Sequence, residues 1–156
     1  MDAPHQHGIE ILAFTLGGEE YGADIRKVWE IRGQDAITHI AGAPDFIKGV
    51  INLRGSIVPI LDMRARFRVA DDVDQRCEVA LMLQMRERVI GMLVDGVSDV
   101  LRLEAAQIRP APRMNFGWNQ DCLRGFGLIG QRLLALLDFE SLLSDEDFGL
   151  LEKLAA

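Results

Sequence analysis

Apolar residues in this chain gather into short runs separated by glycine-bearing turns, the spacing of a mainly-β protein. Residues 9–16 alternate well enough for a first strand, Gly17-Gly18 supplies the positive φ of a tight turn, and residues 20–25 resume a strand. Ile25, Val28 and Ile31 then recur every three residues, which fits either a turn of helix leading into a strand or an extended ribbon with a bulge. Gly42-Ala43-Pro44 breaks the chain, residues 45–48 wind a short turn, and residues 49–62 form a hairpin. Pro59 lacks a backbone donor, so the strand 57–61 is expected to have an edge or a bulge there. Residues 63–69 predict a short helix, and the polar, acidic stretch 70–76 predicts a loop and a lobe boundary. Beyond it lie a hairpin of residues 78–85 and 89–94 turning at Arg86-Glu87-Arg88, a strand over 97–103, an irregular loop over 110–120, a hairpin over 123–137 and a terminal helix over 139–154. Many short strands with few helices imply small barrels or a sandwich.

The pattern repeats. Residues 49–62, an apolar run, a turn with one arginine, a second apolar run and a closing aspartate, are echoed in register 76 positions later by residues 125–138, except that Gly130 stands where Arg54 does. Tyr21-Gly22-Ala23-Asp24-Ile25 likewise lines up with Ile90-Gly91-Met92-Leu93-Val94 at an offset of 69. Two related β-rich halves are expected.

At 156 residues and 49% hydrophobic, the chain suits one domain or two mutually dependent lobes with an ample core. No apolar run approaches the roughly 20 residues of a membrane span, and the N-terminus lacks the basic and apolar regions of a signal peptide, so a cytoplasmic location without membrane insertion is expected. Cys77 and Cys122 have no metal-ligand spacing and read as free thiols. The net charge of -7 repels nucleic acid. The only candidate basic patch, Arg64, Arg66 and Arg68, has one interleaved aromatic, Phe67, too little for a base-stacking platform.

Catalytic chemistry is not signalled: there is no phosphate loop, paired-histidine metal motif, nucleophile elbow or Cys-x-x-Cys. His5 and His7 form a His-x-His pair without a third ligand, and His39 is a lone imidazole. Asp62 and Asp138 resemble a carboxylate pair, but their equivalent places in the repeat read as caps of the turns that follow. No enzyme, metal or cofactor is expected.

An ordered set of segments carries a family resemblance: Glu20-Tyr21-Gly22, Val28-Trp29-Glu30-Ile31, Ala43-Pro44, Phe46-Ile47-Lys48-Gly49-Val50, Asn52-Leu53-Arg54-Gly55, Val58-Pro59-Ile60-Leu61-Asp62, residues 94–101 and residues 107–112. The chain resembles the chemotaxis coupling protein family CheW over residues 9–148, leaving 1–8 and 149–156 as flexible termini. The resemblance implies two intertwined five-stranded SH3-like β-barrels around a shared core, followed by a C-terminal helix. It also implies a non-enzymatic adaptor between chemoreceptor (methyl-accepting protein) tips and the regulatory domain of the histidine kinase CheA, recruited to receptor arrays. An adaptor of a different sensory system is the alternative.

Carried over by position, Val28, Glu30, Arg54, Gly91 and Val100 form the receptor-facing surface where the barrels meet, and Gly49 with the loop around Met114 faces the kinase. A Val-lined groove with one fork-shaped donor suits a helical tip bearing apolar groups, carboxylates and amides. The structural reading of Arg54 is an ion pair with Glu30 that fixes the hairpin. His39 and Ala41 replace prolines found in many members, Trp29 occupies a variable place, and the 114–121 loop is distinct.

Overall fold

The apolar runs become strands, and the computed structural model describes residues 8–33, 37–43, 46–62, 79–111, 122–141 and 143–155. Chain order is β1 (Ile9–Leu16), β2 (Glu19–Asp24), a 3-10 turn (Ile25–Lys27), β3 (Val28–Gly33), β4 (Ile47–Leu53), β5 (Ser56–Asp62), β6 (Val79–Met85), β7 (Arg88–Val94) and β8 (Gly96–Leu103). A second 3-10 turn (Ala105–Gln107), β9 (Ile108–Arg109), β10 (Leu123–Ile129), β11 (Arg132–Leu137), a third 3-10 turn (Phe139–Ser141) and helix α1 (Asp145–Ala155) complete it. Both alternatives for residues 25–31 are realised in part: a 3-10 turn enters β3, whose pairing with β6 shifts register between Val28 and Glu30.

One sheet runs β8-β1-β2-β11-β10-β9 and the other β3-β6-β7-β5-β4. The chain starts in the first sheet, builds all of the second, and returns. The stretch 70–76 lies outside the described residues, but the expected lobe boundary there is corrected by the topology: β5 and β6, on either side of it, belong to one sheet. The crossings fall instead between β2 and β3 and between β7 and β8. Each half of the sequence lends its first two strands to one sheet and the rest to the other: β3 to β5 from the first half, β8 to β11 from the second.

Register shows how deep the repeat goes. Ala13 pairs with Gly22 as Met82 pairs with Gly91, and Leu12 pairs with Val100 as Leu81 pairs with Ile31. The hairpin β4-β5 shifts register between Ile47 and Gly49, and β10-β11 does so at the corresponding Leu123 and Gly125. Each sheet contains one parallel pair, with Ile60 opposite Gly91 and Leu136 opposite Gly22. Even the two-residue β9, which makes one sheet six-stranded, has a counterpart: Thr38 bridges Val50 where Arg109 pairs with the equivalent Phe126.

Pro59 is not at an edge. Val50 spends both its N–H and C=O on Thr38, at 2.9 and 2.8 Å, so its pairing with Pro59 needs no proline donor. The parallel ladder on the other side of β5 begins one residue later, at Ile60.

Three apolar clusters explain why the strands read as nearly continuous apolar runs, since their middles are buried on both faces. Ile51, Val58, Ile60, Ala80 and Met82 fill one sheet's interior, and Ile11, Ala13, Leu103, Leu134 and Leu136 fill the other's. Leu12, Phe14 and Leu16 point to the opposite face and join Leu81, Leu83, Met85, Phe139, Phe148 and Leu151 in a core shared by both sheets. Tyr21, the chain's one tyrosine, stacks on Phe14 with ring centroids 5.6 Å apart. Burial, with a smaller push from the Glu19 carboxylate, raises its pKa from 10.0 to about 12. The folded state therefore keeps a proton that the unfolded chain releases near pH 10, and stability is expected to fall as pH rises from 10 to 12. Denaturant titrations across that window check this, and Tyr21→Phe should flatten the decline relative to the parent.

The C-terminus differs from expectation in two ways. The helix starts at Asp145 rather than 139, because Ser144 Oγ accepts the Asp147 N–H and Asp147 Oδ2 accepts the Ser144 N–H, each at 3.0 Å, a reciprocal cap. Residues 149–155, expected as part of a flexible terminus, are helical, and Leu151 is fully buried in the shared core. The short helix expected over 63–69, the Arg64, Arg66 and Arg68 patch, Cys77 and the termini 1–7 lie outside the described residues.

Candidate functional site

Arg54 opens the turn between β4 and β5 at φ +51°, the left-handed region that costs an L side chain about 1–2 kcal/mol. Asn52 Oδ1 closes the turn by accepting the Gly55 N–H at 2.9 Å. The Arg54 side chain is 71% exposed, and its Nη2 donates to Glu30 Oε1 on β3 at 3.0 Å. The other Glu30 oxygen accepts from Arg32 Nε. One carboxylate thus serves two guanidiniums, leaving a local positive surplus on a chain of net charge -7. Arg32 escaped the sequence reading; its signal was an opposite charge two positions from Glu30, hence on the same strand face.

Gly130 stands at the position equivalent to Arg54 and has φ +59°. Arg86 is the other non-glycine at positive φ among the described residues, at +56°, and its equivalent is Gly17. Arg86 has a structural reason to be there. Its N–H donates to Glu140 Oε1 at 2.9 Å, its Nη2 to Asp145 Oδ1 at 2.6 Å, and its guanidinium lies 3.9 Å from the Phe148 ring centre, docking α1. Arg54 spends the same conformational cost on an exposed ion pair, and such pairs contribute about 0–1 kcal/mol.

The remaining candidates separate. Val28 is half-buried and packs on the shared core, one strand position from exposed Trp29. Val100 is exposed on β8, the edge of the other sheet, at the position equivalent to exposed Ile31. Gly91, expected on the receptor-facing surface, lies inside the sheet. It is buried, and an added Cβ would overlap Ile60 Cδ1 and lie 3.0 Å from Met82 Sδ. Its equivalent, Gly22, is crowded in the same way by Ile11 and Leu136. Gly49 is likewise buried, beneath the Thr38 bridge, and a Cβ there would overlap the Thr38 carbonyl oxygen. Because backbone cannot swing aside, Gly49→Ala should cost about 1–3 kcal/mol and speed amide exchange at Val50, as thermal melts and hydrogen exchange will show. Met114 lies outside the described residues.

The face equivalent to Glu30 and Arg54 has inverted charge. Asp99 takes the place of Glu30, and Arg132 donates to Glu20 at 2.7 Å and to Asp99 at 3.3 Å, so two carboxylates share one guanidinium.

Of the two aspartates weighed as a carboxylate pair, Asp138 has a visible structural role. Asp138 caps the third 3-10 turn, accepting from the Glu140 N–H at 3.2 Å and from Ser141 Oγ at 3.0 Å. Exposed His39 has Nδ1 3.1 Å from the Lys48 carbonyl, and Cys122 is buried. Among the described residues, no three His, Cys, Asp or Glu are grouped so as to hold a metal, and no helix is long and apolar enough to cross a membrane.

Residues 10–147 match the family model of the CheW-like domain. The chain belongs to the CheW family. It is 52% identical to the chemotaxis protein CheW of Klebsiella aerogenes over 95% of this chain and 89% of that one. It is 35% identical to a probable chemotaxis protein CheW of Rhizobium etli, over 88% and 89% of the two chains. Among solved structures, the scaffolding protein TtCheW of Thermoanaerobacter tengcongensis superposes with a TM-score of 0.76 at 27% identity, covering 84% of this chain and 89% of that one. CheW proteins are chemotaxis coupling scaffolds, not enzymes, and the intertwined pair of sheets with a C-terminal helix is their fold.

Proposed function

We propose that this chain works in the cytoplasm as the adaptor that couples chemoreceptor tips to the regulatory domain of the histidine kinase CheA within receptor arrays. The observation that carries the reading is Arg54: a strained, exposed guanidinium oriented by Glu30, at a turn where the repeat itself uses glycine. Side chains of Glu30 and Arg54, with Val28 beneath and exposed Val100 on the other sheet, serve the receptor. Gly49 and Gly91 act through backbone shape, Gly49 by seating the Thr38 bridge on the side assigned to the kinase, together with the loop around Met114. Arg54 offers a receptor carboxylate or amide a charge-assisted fork whose geometry is set before binding.

Co-sedimentation with receptor-bearing vesicles and CheA tests the proposal. The kinase is expected to sediment with receptors only when this chain is present; sedimentation independent of the chain would contradict it.

A further inference from the structure

Trp29 stands on the edge strand β3 and is 55% exposed. It lines a surface groove of about 360 Å³ together with Arg54, Ile57, Val58, Arg88 and Val89. Ile57 is also held out of the core, at 43% exposed. Half-exposed tryptophan forgoes much of the burial that a large aromatic normally obtains on folding, and tryptophan is enriched among interface anchors.

The internal repeat supplies a control for this groove. At the equivalent positions of the other face, Ser98 replaces Trp29 and Gly130 replaces Arg54, while Leu133 keeps the exposed aliphatic of Ile57. The charge surplus there is negative, because Arg132 is shared by Glu20 and Asp99. Among the described residues, the aromatic wall and the positive rim therefore occur together on one face and not at the equivalent positions of the other.

We infer that this groove determines which receptor segments the chain accepts: it takes a stretch of receptor tip presenting a bulky apolar side chain beside a carboxylate. The apolar group packs between Trp29 and Ile57, and the carboxylate meets Arg54, whose positive charge is not cancelled because Glu30 is also engaged by Arg32. The equivalent face repels the same segment by its negative surplus and, among the described residues, has Ser98 in place of the aromatic wall. Charge thus breaks the symmetry of the fold. The inference rests on the receptor-facing role proposed above and names the chemistry that role reads.

The test is calorimetric titration of the full chain with a soluble receptor-tip fragment, using the parent, Trp29→Ser and Trp29→Phe, with CheA regulatory domain as the second titrant. Trp29→Ser should weaken receptor-fragment binding about thirtyfold, the effect of losing an aromatic anchor, and Trp29→Phe should keep most of it. Kinase-domain affinity and melting temperature should stay unchanged. A fragment whose tip carboxylates are changed to amides should bind the parent more weakly, and this loss should shrink when Arg54 is replaced by glycine. Parent-like binding by Trp29→Ser, or equal loss of both partners, would overturn the inference. Failure of the parent to bind any receptor fragment would overturn the receptor reading itself, and the inference with it.

Discussion

Arg54→Glu is expected to abolish receptor-tip binding while leaving the protein folded. The substituted carboxylate faces Glu30 in place of a guanidinium 3.0 Å away, so the fork that a receptor carboxylate would meet becomes a repulsive pair. Stability should change by less than about 1 kcal/mol, because the lost ion pair is exposed and screened. Arg54→Gly separates the two roles of the residue. It removes the guanidinium and also relieves the positive φ of +51°, and the equivalent Gly130 shows that this turn accepts glycine. Receptor binding should fall while the melting temperature holds or rises. A mutant that unfolds would make Arg54 a structural clamp; one that binds receptors normally would remove it from the site.

Phe14→Ala is expected to be the most damaging single change to the fold, at about 3–5 kcal/mol and a fall in melting temperature of about 10 °C or more. Phe14 is fully buried in the core shared by the two sheets, 5.6 Å from the Tyr21 ring and 6.1 Å from the Phe139 ring. It therefore ties β1 both to its hairpin partner and to the C-terminal turn. The chain leaves the first sheet after β2 and returns to it at β8, so that sheet is not one continuous segment, and the second, although continuous from β3 to β7, buries Leu81, Leu83 and Met85 in the core it shares with the first. Unfolding should remain a single transition in parent and mutant, followed by circular dichroism and tryptophan fluorescence together. Two separated transitions would mean that the shared core does not couple the sheets.

Much of this architecture was legible in the sequence because the repeat reaches single residues. The offsets of 76 and 69 pair the bulged hairpins, their closing aspartates and the crowded glycines Gly22 and Gly91. The exchange of strands between sheets was not legible. A repeat says that two segments are alike but not which of the two partners each pairs with, and the parallel contacts of Ile60 with Gly91 and Leu136 with Gly22 join residues far apart in sequence. The boundary expected over 70–76 separates the sequence repeats, and the spatial sheets divide elsewhere.

At the site, Glu30 and Arg54 were legible as a charged pair, and the structure brings them into contact. That Gly49 and Gly91 lie inside was not legible, because carry-over by position is silent on whether a position is inside or outside. A residue without a side chain that recurs in both repeats signals close packing, and Gly125 and Gly22 held that signal. Exposure of Trp29 could not be read from β3, where half-buried and exposed residues alternate across an edge strand. The late start of α1 was readable from Ser144 and Asp147, three positions apart.

The central claim is that this chain holds two partners at once on separate surfaces. Its most direct measurement is calorimetric titration of the CheA regulatory domain into the protein alone and into the protein saturated with receptor tip. Saturable one-to-one binding is expected in both, with affinities within about tenfold of one another. Displacement of the receptor tip by the kinase domain would contradict it, since a single shared surface cannot couple the two.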